Sequence, residues 1–245
     1  KKKKMTTLFI SDLPLVESPP DFTRAFLNFL EQRAAKAETL YILGDFFEAW
    51  IGDDEHTPLQ DEVAAALRKL TDGGTRLYLM HGNRDFLIGN AFCDSVGGEL
   101  LDDPTVIDLY GTPTLIMHGD SLCTADVEYQ KFRANMRNAQ WQEMFLKRPL
   151  ADRQLVARQL REISMAKNQG KDEFIMDVTP EEVVKDMESH KVQLMIHGHT
   201  HRPAVHDHEA NGQPAQRIVL GDWDKHVWWL EAEPDRKPEL KKEPL

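Results

Sequence analysis

The sequence predicts an α/β fold with a central two-sheet core. Three observations carry this: short apolar runs recur and each ends in a small polar cluster; helical patterns alternate with them; and strand patterns, rather than helices, dominate the C-terminal part.

The first run, Leu8-Phe9-Ile10, ends in Ser11-Asp12. From Asp21 to Ala35, Phe22, Ala25, Phe26, Phe29 and Leu30 share one helical face. Leu40-Tyr41-Ile42-Leu43 runs into Gly44-Asp45 as a second strand. Thr57-Pro58 opens a helix to about Leu70, which stops before Gly73-Gly74. Leu77-Tyr78-Leu79-Met80 ends in His81-Gly82-Asn83-Arg84-Asp85, and Leu115-Ile116-Met117 in His118-Gly119-Asp120. Thr179-Pro180-Glu181-Glu182 starts another helix, with proline at the first position and acids in the first turn. Leu194-Met195-Ile196 runs into His197-Gly198-His199-Thr200-His201. Near the end, Arg217 to Leu220 and Val227 to Leu230 read as a pair of strands around Gly221-Asp222-Trp223-Asp224. Continuous apolar runs closed by glycine read as buried strands, and polar groups at strand C-termini are where open α/β sheets build sites.

Residues 126–171 differ. They show no strand pattern and carry ten Lys/Arg against five Asp/Glu, in a chain of net charge −11. Phe132, Met136, Trp141, Phe145, Leu150, Leu160 and Ile163 are among their apolar residues. We read this stretch as a helical insertion between two site-bearing strands. From the residues alone it is also an ordinary amphipathic subdomain with a solvated basic face.

The acidic balance argues against nucleic-acid binding, which depends on basic neutralisation of phosphates. Cys93 and Cys123 fit no disulfide framework or CxxC spacing and read as reduced, half-buried thiols. No stretch approaches the roughly 20 apolar residues of a membrane span. Residues 1–5, with four lysines before Met5, are expected to be a cloning remnant, and 234–245 a flexible tail. The expected location is cytoplasmic.

Asp12, Asp45, Asn83, His118, His199 and His201 together form an oxygen and nitrogen donor set suited to Mn²⁺, Fe²⁺ or Zn²⁺. Six such groups exceed one tetrahedral site and match two adjacent ions. An Asp45 carboxylate with an oxygen for each would bridge them, an arrangement suited to displacement at phosphorus. Singly, each is as readily a turn aspartate or a satisfied histidine; all five clusters in one chain make the site reading.

The order Asp12-Leu13-Pro14, Gly44-Asp45, Gly82-Asn83-Arg84-Asp85, His118 and Gly198-His199-Thr200-His201 resembles the calcineurin-like metallophosphoesterases, over about residues 6–230. The longer strings Gly44-Asp45-Phe46-Phe47-Glu48-Ala49-Trp50-Ile51-Gly52-Asp53-Asp54, His81-Gly82-Asn83-Arg84-Asp85-Phe86-Leu87 and Ile196-His197-Gly198-His199-Thr200-His201-Arg202-Pro203 resemble the branch of that family acting on UDP-2,3-diacylglucosamine in lipid A biosynthesis. Arg84, where most of the superfamily has histidine, is typical of that branch.

The resemblance implies an αββα sandwich, with core segments 6–125 and 172–233 and the 126–171 insertion as a lid over acyl chains. It implies two Mn²⁺ ions, one on Asp12, Asp45 and His201, the other on Asp45, Asn83, His118 and His199. It carries substrate contacts to Asn83, Arg84, Asp126, Ser164, Asn168, Lys171 and His199, with Arg84 and His199 at the reacting phosphate. The implied partners are a UDP-linked diacylglucosamine lipid and an anionic membrane surface, on the cytoplasmic face of the inner membrane. No nucleic acid and no required protein partner are expected.

One position departs from the family. A ligating histidine belongs two residues after the first aspartate, and here Pro14 supplies neither imidazole nor backbone N–H. A water ligand is the simplest substitute, since nothing in the sequence places His56 or His81 there. Two rival functions follow: a metal-impaired glycolipid-binding form of the same fold, and a general phosphodiesterase or phosphatase. His81 and His197 are expected to shape turns, His190, His206, His208 and His226 to lie at the surface, and Trp223, Trp228 and Trp229 to pack the late strands.

Overall fold

The computed structural model describes residues 4–245, apart from the side chains of Lys4, Ser164, Lys167 and Asn168. The contacts expected of Ser164 and Asn168 therefore lie outside the described residues.

Strand β1 (Lys4–Ile10) is followed by helix α1 (Asp21–Gln32), β2 (Ala37–Leu43), α2 (Pro58–Asp72), β3 (Arg76–Met80), α3 (Asn90–Ser95), β4 (Gly98–Leu101), β5 (Thr105–Leu109) and β6 (Thr112–Met117). Three helices come next, α4 (Val127–Met136), α5 (Ala139–Leu146) and α6 (Leu150–Asn168). The chain ends with α7 (Pro180–Ser189), β7 (Leu194–His197), β8 (Ala204–Ala210), β9 (Gln213–Val219), β10 (His226–Ala232) and β11 (Glu239–Pro244).

One sheet has the order β11-β10-β1-β2-β3-β4, the other β5-β6-β7-β9-β8. Strands β1 to β4 run parallel, as do β6, β7 and β9; β10 is antiparallel to β1 and β11 to β10, and β5 and β8 are antiparallel edges of the second sheet. Strand alternation sorts the core into three layers. Phe9, Leu43, Met80, Ile116, Ile196 and Ile218 fill the space between the sheets. Their neighbours Leu8, Ile10, Leu40, Ile42, Leu77 and Leu79 face the other way, toward Phe26, Phe29, Val63 and Leu67 of α1 and α2. On the second sheet Leu115, Met117 and Met195 pack against Val183 and Met187 of α7. Helix layer, sheet, sheet and helix layer form the expected αββα sandwich.

Local signals set the helix ends. Thr57 and Gln60 form a reciprocal capping box at the start of α2, each side chain accepting from the other's backbone N–H at 3.2 Å. Such a cap contributes about 1 kcal/mol.

Four expectations are revised. Residues 234–245 are no frayed end, because β11 pairs with β10 from His226↔Pro244 to Glu231↔Glu239. Lys4 and Met5, set outside the fold as part of an expected cloning remnant, belong to β1, with Lys4 aligned on Ala37. The two late apolar runs do not pair with each other: β9 lies in the second sheet and β10 in the first. Cys93 and Cys123 are free and fully buried rather than half-buried.

Candidate metal centre and its cleft

The C-terminal ends of β1, β2, β3, β6 and β7 converge at one edge of the sandwich, where the two sheets meet. Asp12, Asp45, His199 and His201 all take positive φ, from 50° to 74°. This region is sparsely populated for non-glycine residues and is held only when the surroundings over-determine it. Here Asp12 N donates to Gly44 O and Leu13 N to Asp45 O, both at 3.0 Å, so the first two turns brace each other. Gly82 must be glycine: a Cβ there would collide with the Asp45 carboxylate.

The chemistry of the donor set is that of a cation site. Asp45, His118 and His199 each present a ligating atom within 4.8 Å of the others. His118 Nδ1 donates to Leu43 O at 2.8 Å, which turns Nε2 toward Asn83 Oδ1 at 3.0 Å and Asp45 Oδ2 at 3.4 Å. Asn83 Oδ1 also lies 3.2 Å from His199 Nδ1. Acceptor atoms thus gather around one imidazole edge. Burial alone would depress the His118 imidazole, but the carboxylates of Asp45 and Asp12 hold it well above its ordinary range. The cluster demands positive charge, which a divalent cation would supply.

Asp12 makes the second half. Its Oδ2 accepts from Ser11 Oγ at 2.5 Å and from His199 N at 2.9 Å. Its Oδ1 is buried without a hydrogen-bond partner and faces His201 Nε2 at 3.4 Å. An orphaned buried carboxylate oxygen is costly unless a cation approaches it. His201 turns its other nitrogen to Asp222 Oδ2, 3.5 Å away. All six expected donors therefore surround one edge, and their chemistry fits divalent cations.

Pro14 is half-buried. Both candidate histidines have other partners. His81 Nε2 is committed to Ile88 O at 2.5 Å, and exposed His56 faces Asp61.

Behind the donors lies a buried polar layer. Asp85 accepts from the backbone N–H groups of Asp45, Phe46 and Gly82, at 3.2, 2.8 and 2.8 Å. Burial and the neighbouring Asp45 charge push its carboxyl up to about 6. Asp120 accepts from Tyr129 OH at 2.6 Å and Arg133 Nε at 3.0 Å. Burial opposes its ionisation, yet His118, His199 and two arginines hold it below the usual carboxylate range. These residues escaped sequence reasoning as site groups. Asp85 and Asp120 stand inside the quoted clusters, where they are indistinguishable from turn residues; Tyr129 and Arg133 carry no sequence signal.

Arg84 joins the donor cluster to Glu48. Its backbone N–H donates to Asp45 Oδ1 at 3.0 Å, and its guanidinium to Glu48 Oε1 at 2.6 Å. Lys171 and Asp126, distant in sequence, meet in an ion pair of 2.8 Å. From Asn83 and Arg84 a cleft of about 870 Å³ opens between the core and the insertion helices, lined by Trp50, Phe86, Phe132, Trp141, Leu160 and Ile163 among others. Its lining mixes the polar residues Asn83, Arg84 and Lys171 with these apolar side chains.

A calcineurin-like phosphoesterase profile matches residues 5–203. A relative from Marinobacter nauticus named UDP-2,3-diacylglucosamine hydrolase is 74% identical over 241 residues, 98% of this chain and 99% of its own. Proteins of the same name from Hahella chejuensis and Pseudomonas paraeruginosa are 57% and 59% identical, each over 94% of this chain and 95% of theirs. Strand-end carboxylates, amide and imidazoles around one cation site, matched over most of the length, lead to one conclusion: the chain belongs to the calcineurin-like phosphoesterase family.

Proposed function

We propose that this enzyme hydrolyses the diphosphate of UDP-2,3-diacylglucosamine. Water attacks the phosphorus that carries uridine, giving UMP and 2,3-diacylglucosamine 1-phosphate (lipid X). The observation that carries this reading is a cleft of about 870 Å³ whose lining joins Asn83 and Arg84 to the apolar side chains Trp50, Phe86, Phe132, Trp141, Leu160 and Ile163. Identity of 74% to a hydrolase named for that substrate supports it.

Asp12, Asp45 and His201 would hold one cation, and Asp45, Asn83, His118 and His199 the other. Two Mn²⁺ ions held by these residues would supply charge neutralisation at the diphosphate and a lowered pKa for a bound water. Arg84 offers a fork of donors to phosphate oxygens. Lys171, held by Asp126 at 2.8 Å, lines the cleft and has N–H donors left to offer phosphate or sugar oxygens. The 126–171 helices act as a lid that keeps acyl chains out of water. Each buried methylene contributes about 0.8 kcal/mol.

The membrane is the proposed source of substrate. Ile163, Met165 and Phe174 are 51%, 63% and 75% exposed, the first two on the 126–171 segment that carries ten Lys/Arg against five Asp/Glu and the third just after it. Among the described residues no helix is long and apolar enough to cross a membrane, so the contact is peripheral, with basic groups meeting an anionic surface. Co-sedimentation with anionic vesicles should fall at high salt; binding to neutral vesicles as strong as to anionic ones would overturn this part.

The deciding experiment titrates Mn²⁺ into hydrolysis of UDP-2,3-diacylglucosamine by this protein and its Pro14→His form. Turnover by both, with the histidine form saturating at lower Mn²⁺, is the expected result. Turnover by the histidine form alone would make this chain a binding-competent but disabled member. Turnover by neither would overturn the substrate.

A further inference from the structure

Glu48 lies three residues beyond Asp45 on a rigid segment. Its backbone N–H donates to Leu15 O at 3.1 Å, Phe46 and Phe47 before it are buried, and Leu15 bridges Phe47. The side chain is only 15% exposed. One oxygen, Oε1, takes a hydrogen bond from Arg84 Nη1 at 2.6 Å and an ion pair from Arg161 Nη2 at 2.8 Å. Arg84 touches Asp45 through its backbone, whereas Arg161 belongs to α6.

The first half of α6 has its own anchor. Arg153 donates to Ile51 O and to both oxygens of Asp54, and Gln154 to Glu55. Further along α6, Arg161 reaches back to the core through Glu48. Residues 48, 84 and 161 all line the cleft. Two guanidiniums on one carboxylate leave the trio with a surplus positive charge. Each arginine has five N–H donors, so most of them stay free for an anionic ligand.

We infer that Glu48 is a positioning residue that latches α6 onto the core and sets Arg84 and Arg161 side by side at the diphosphate end of the cleft. This rests on the proposed hydrolysis only for its catalytic consequence. The carboxylate makes lid closure and arginine placement one event: when α6 lifts, Arg84 loses the neighbour that shares its anchor. Glu48 acts through the arginines and has no chemical step of its own.

Amide hydrogen exchange on the full chain tests the latch without turnover. Glu48→Ala should raise exchange in the second half of α6 about threefold, as expected for losing one bridging ion pair. Arg161→Ala should do the same, and the double variant should add nothing. Arg84→Ala should lower turnover while leaving α6 exchange unchanged. In kinetics, Glu48→Ala should cut kcat/KM about tenfold through misplacement of Arg84, mainly in kcat, and adding Arg161→Ala should cut it no further. Glu48→Gln, which keeps the oxygen and volume, should recover part of that loss. Unchanged α6 exchange in Glu48→Ala, or costs that multiply in the double variant, would overturn the inference. Absence of hydrolysis by the parent protein would count against the substrate alone, since the exchange result still decides the latch.

Discussion

Tyr129 stacks on His199, with ring centroids 5.7 Å apart and planes 30° from parallel, while its hydroxyl donates to Asp120 at 2.6 Å. Burial and the Asp120 charge raise the phenol far above its ordinary range, so it remains a donor at every working pH. Helix α4 thereby reaches from the insertion into the donor cluster. Tyr129→Phe keeps the stack but leaves buried Asp120 short of a partner, and should cost about 1–3 kcal/mol of stability in a urea melt. Because the ring still seats His199, kcat/KM should change little. Tyr129→Ala should lose both stability and activity.

The pair His197 and Arg217 gives a pH-dependent prediction. His197 Nδ1 donates to Gly198 O at 2.7 Å, and its Nε2 accepts from Arg217 Nη1 at 3.1 Å, which requires a neutral ring. Burial, then the Arg217 cation, push its pKa down to about 3. Between that value and about 6.5 the unfolded chain binds a proton that the folded chain refuses, so the contribution to stability is full above pH 6.5 and declines as pH falls. The melting temperature should therefore fall between pH 7.5 and 5.5. His197→Gln, which cannot titrate, should show a shallower fall. An equal slope in the two proteins would remove His197 as the cause.

Arg153 ties the insertion to the loop after β2. The residue is 2% exposed, and its side chain donates to Ile51 O, Arg148 O and Asp54. Asp54 is largely solvent-exposed, so the ion pair itself is screened. What Arg153→Ala removes is the set of donors to two carbonyls. A loss of about 1–3 kcal/mol in chemical denaturation is expected. Arg153→Lys should not restore it, because one ammonium cannot reproduce the fork.

Trp141 tests the acyl reading. It lies on the cleft wall, stacked on Phe145 at 5.0 Å and 13° and near Phe86. Trp141→Ala should lower kcat/KM for the diacyl substrate about tenfold, in line with 1–3 kcal/mol for lost apolar contact. On deacylated UDP-glucosamine the same variant should match its parent. Equal losses on both would point to a general folding defect.

Much of this architecture was legible because buried parallel strands read as continuous apolar runs. Leu8 to Ile10, Leu40 to Leu43 and Leu194 to Ile196 needed no tertiary information, and the polar residues closing them meet at the donor cluster. Strand β11 was illegible for the opposite reason. Glu239-Leu240-Lys241-Lys242-Glu243-Pro244 has no apolar pattern, and it is fixed by main-chain pairing with β10, by Lys241 on Glu231 and by Lys242 over Trp228. The latch from Glu48 to Arg161 was hidden too, since a charge on a helix reads as a solvated face until the fold names its partner.

Pro14 leads to the last prediction. Leu13 N donates to Asp45 O and Leu15 N to Phe46 O, so the alternate N–H that proline lacks belongs to neither bond. The backbone therefore accepts proline without a broken pair, and Pro14→His should fold normally. What changes is the ligand count beside Asp12 Oδ1, the buried oxygen without a partner. An imidazole there should tighten Mn²⁺ binding at least about tenfold, the scale of even an outlying partner at a metal site. Titration of free Mn²⁺ followed by electron paramagnetic resonance reads this directly. A thermal melt reads it independently, since a ligand that binds only the folded chain stabilises it by RT ln(1 + [L]/Kd). At a fixed Mn²⁺ concentration near the parent's Kd, the histidine form should gain about 1 kcal/mol more than the parent. With chelator present the two should melt alike. Equal Mn²⁺ affinity in both forms would mean that other groups, Asp222 beside His201 foremost, already complete the site.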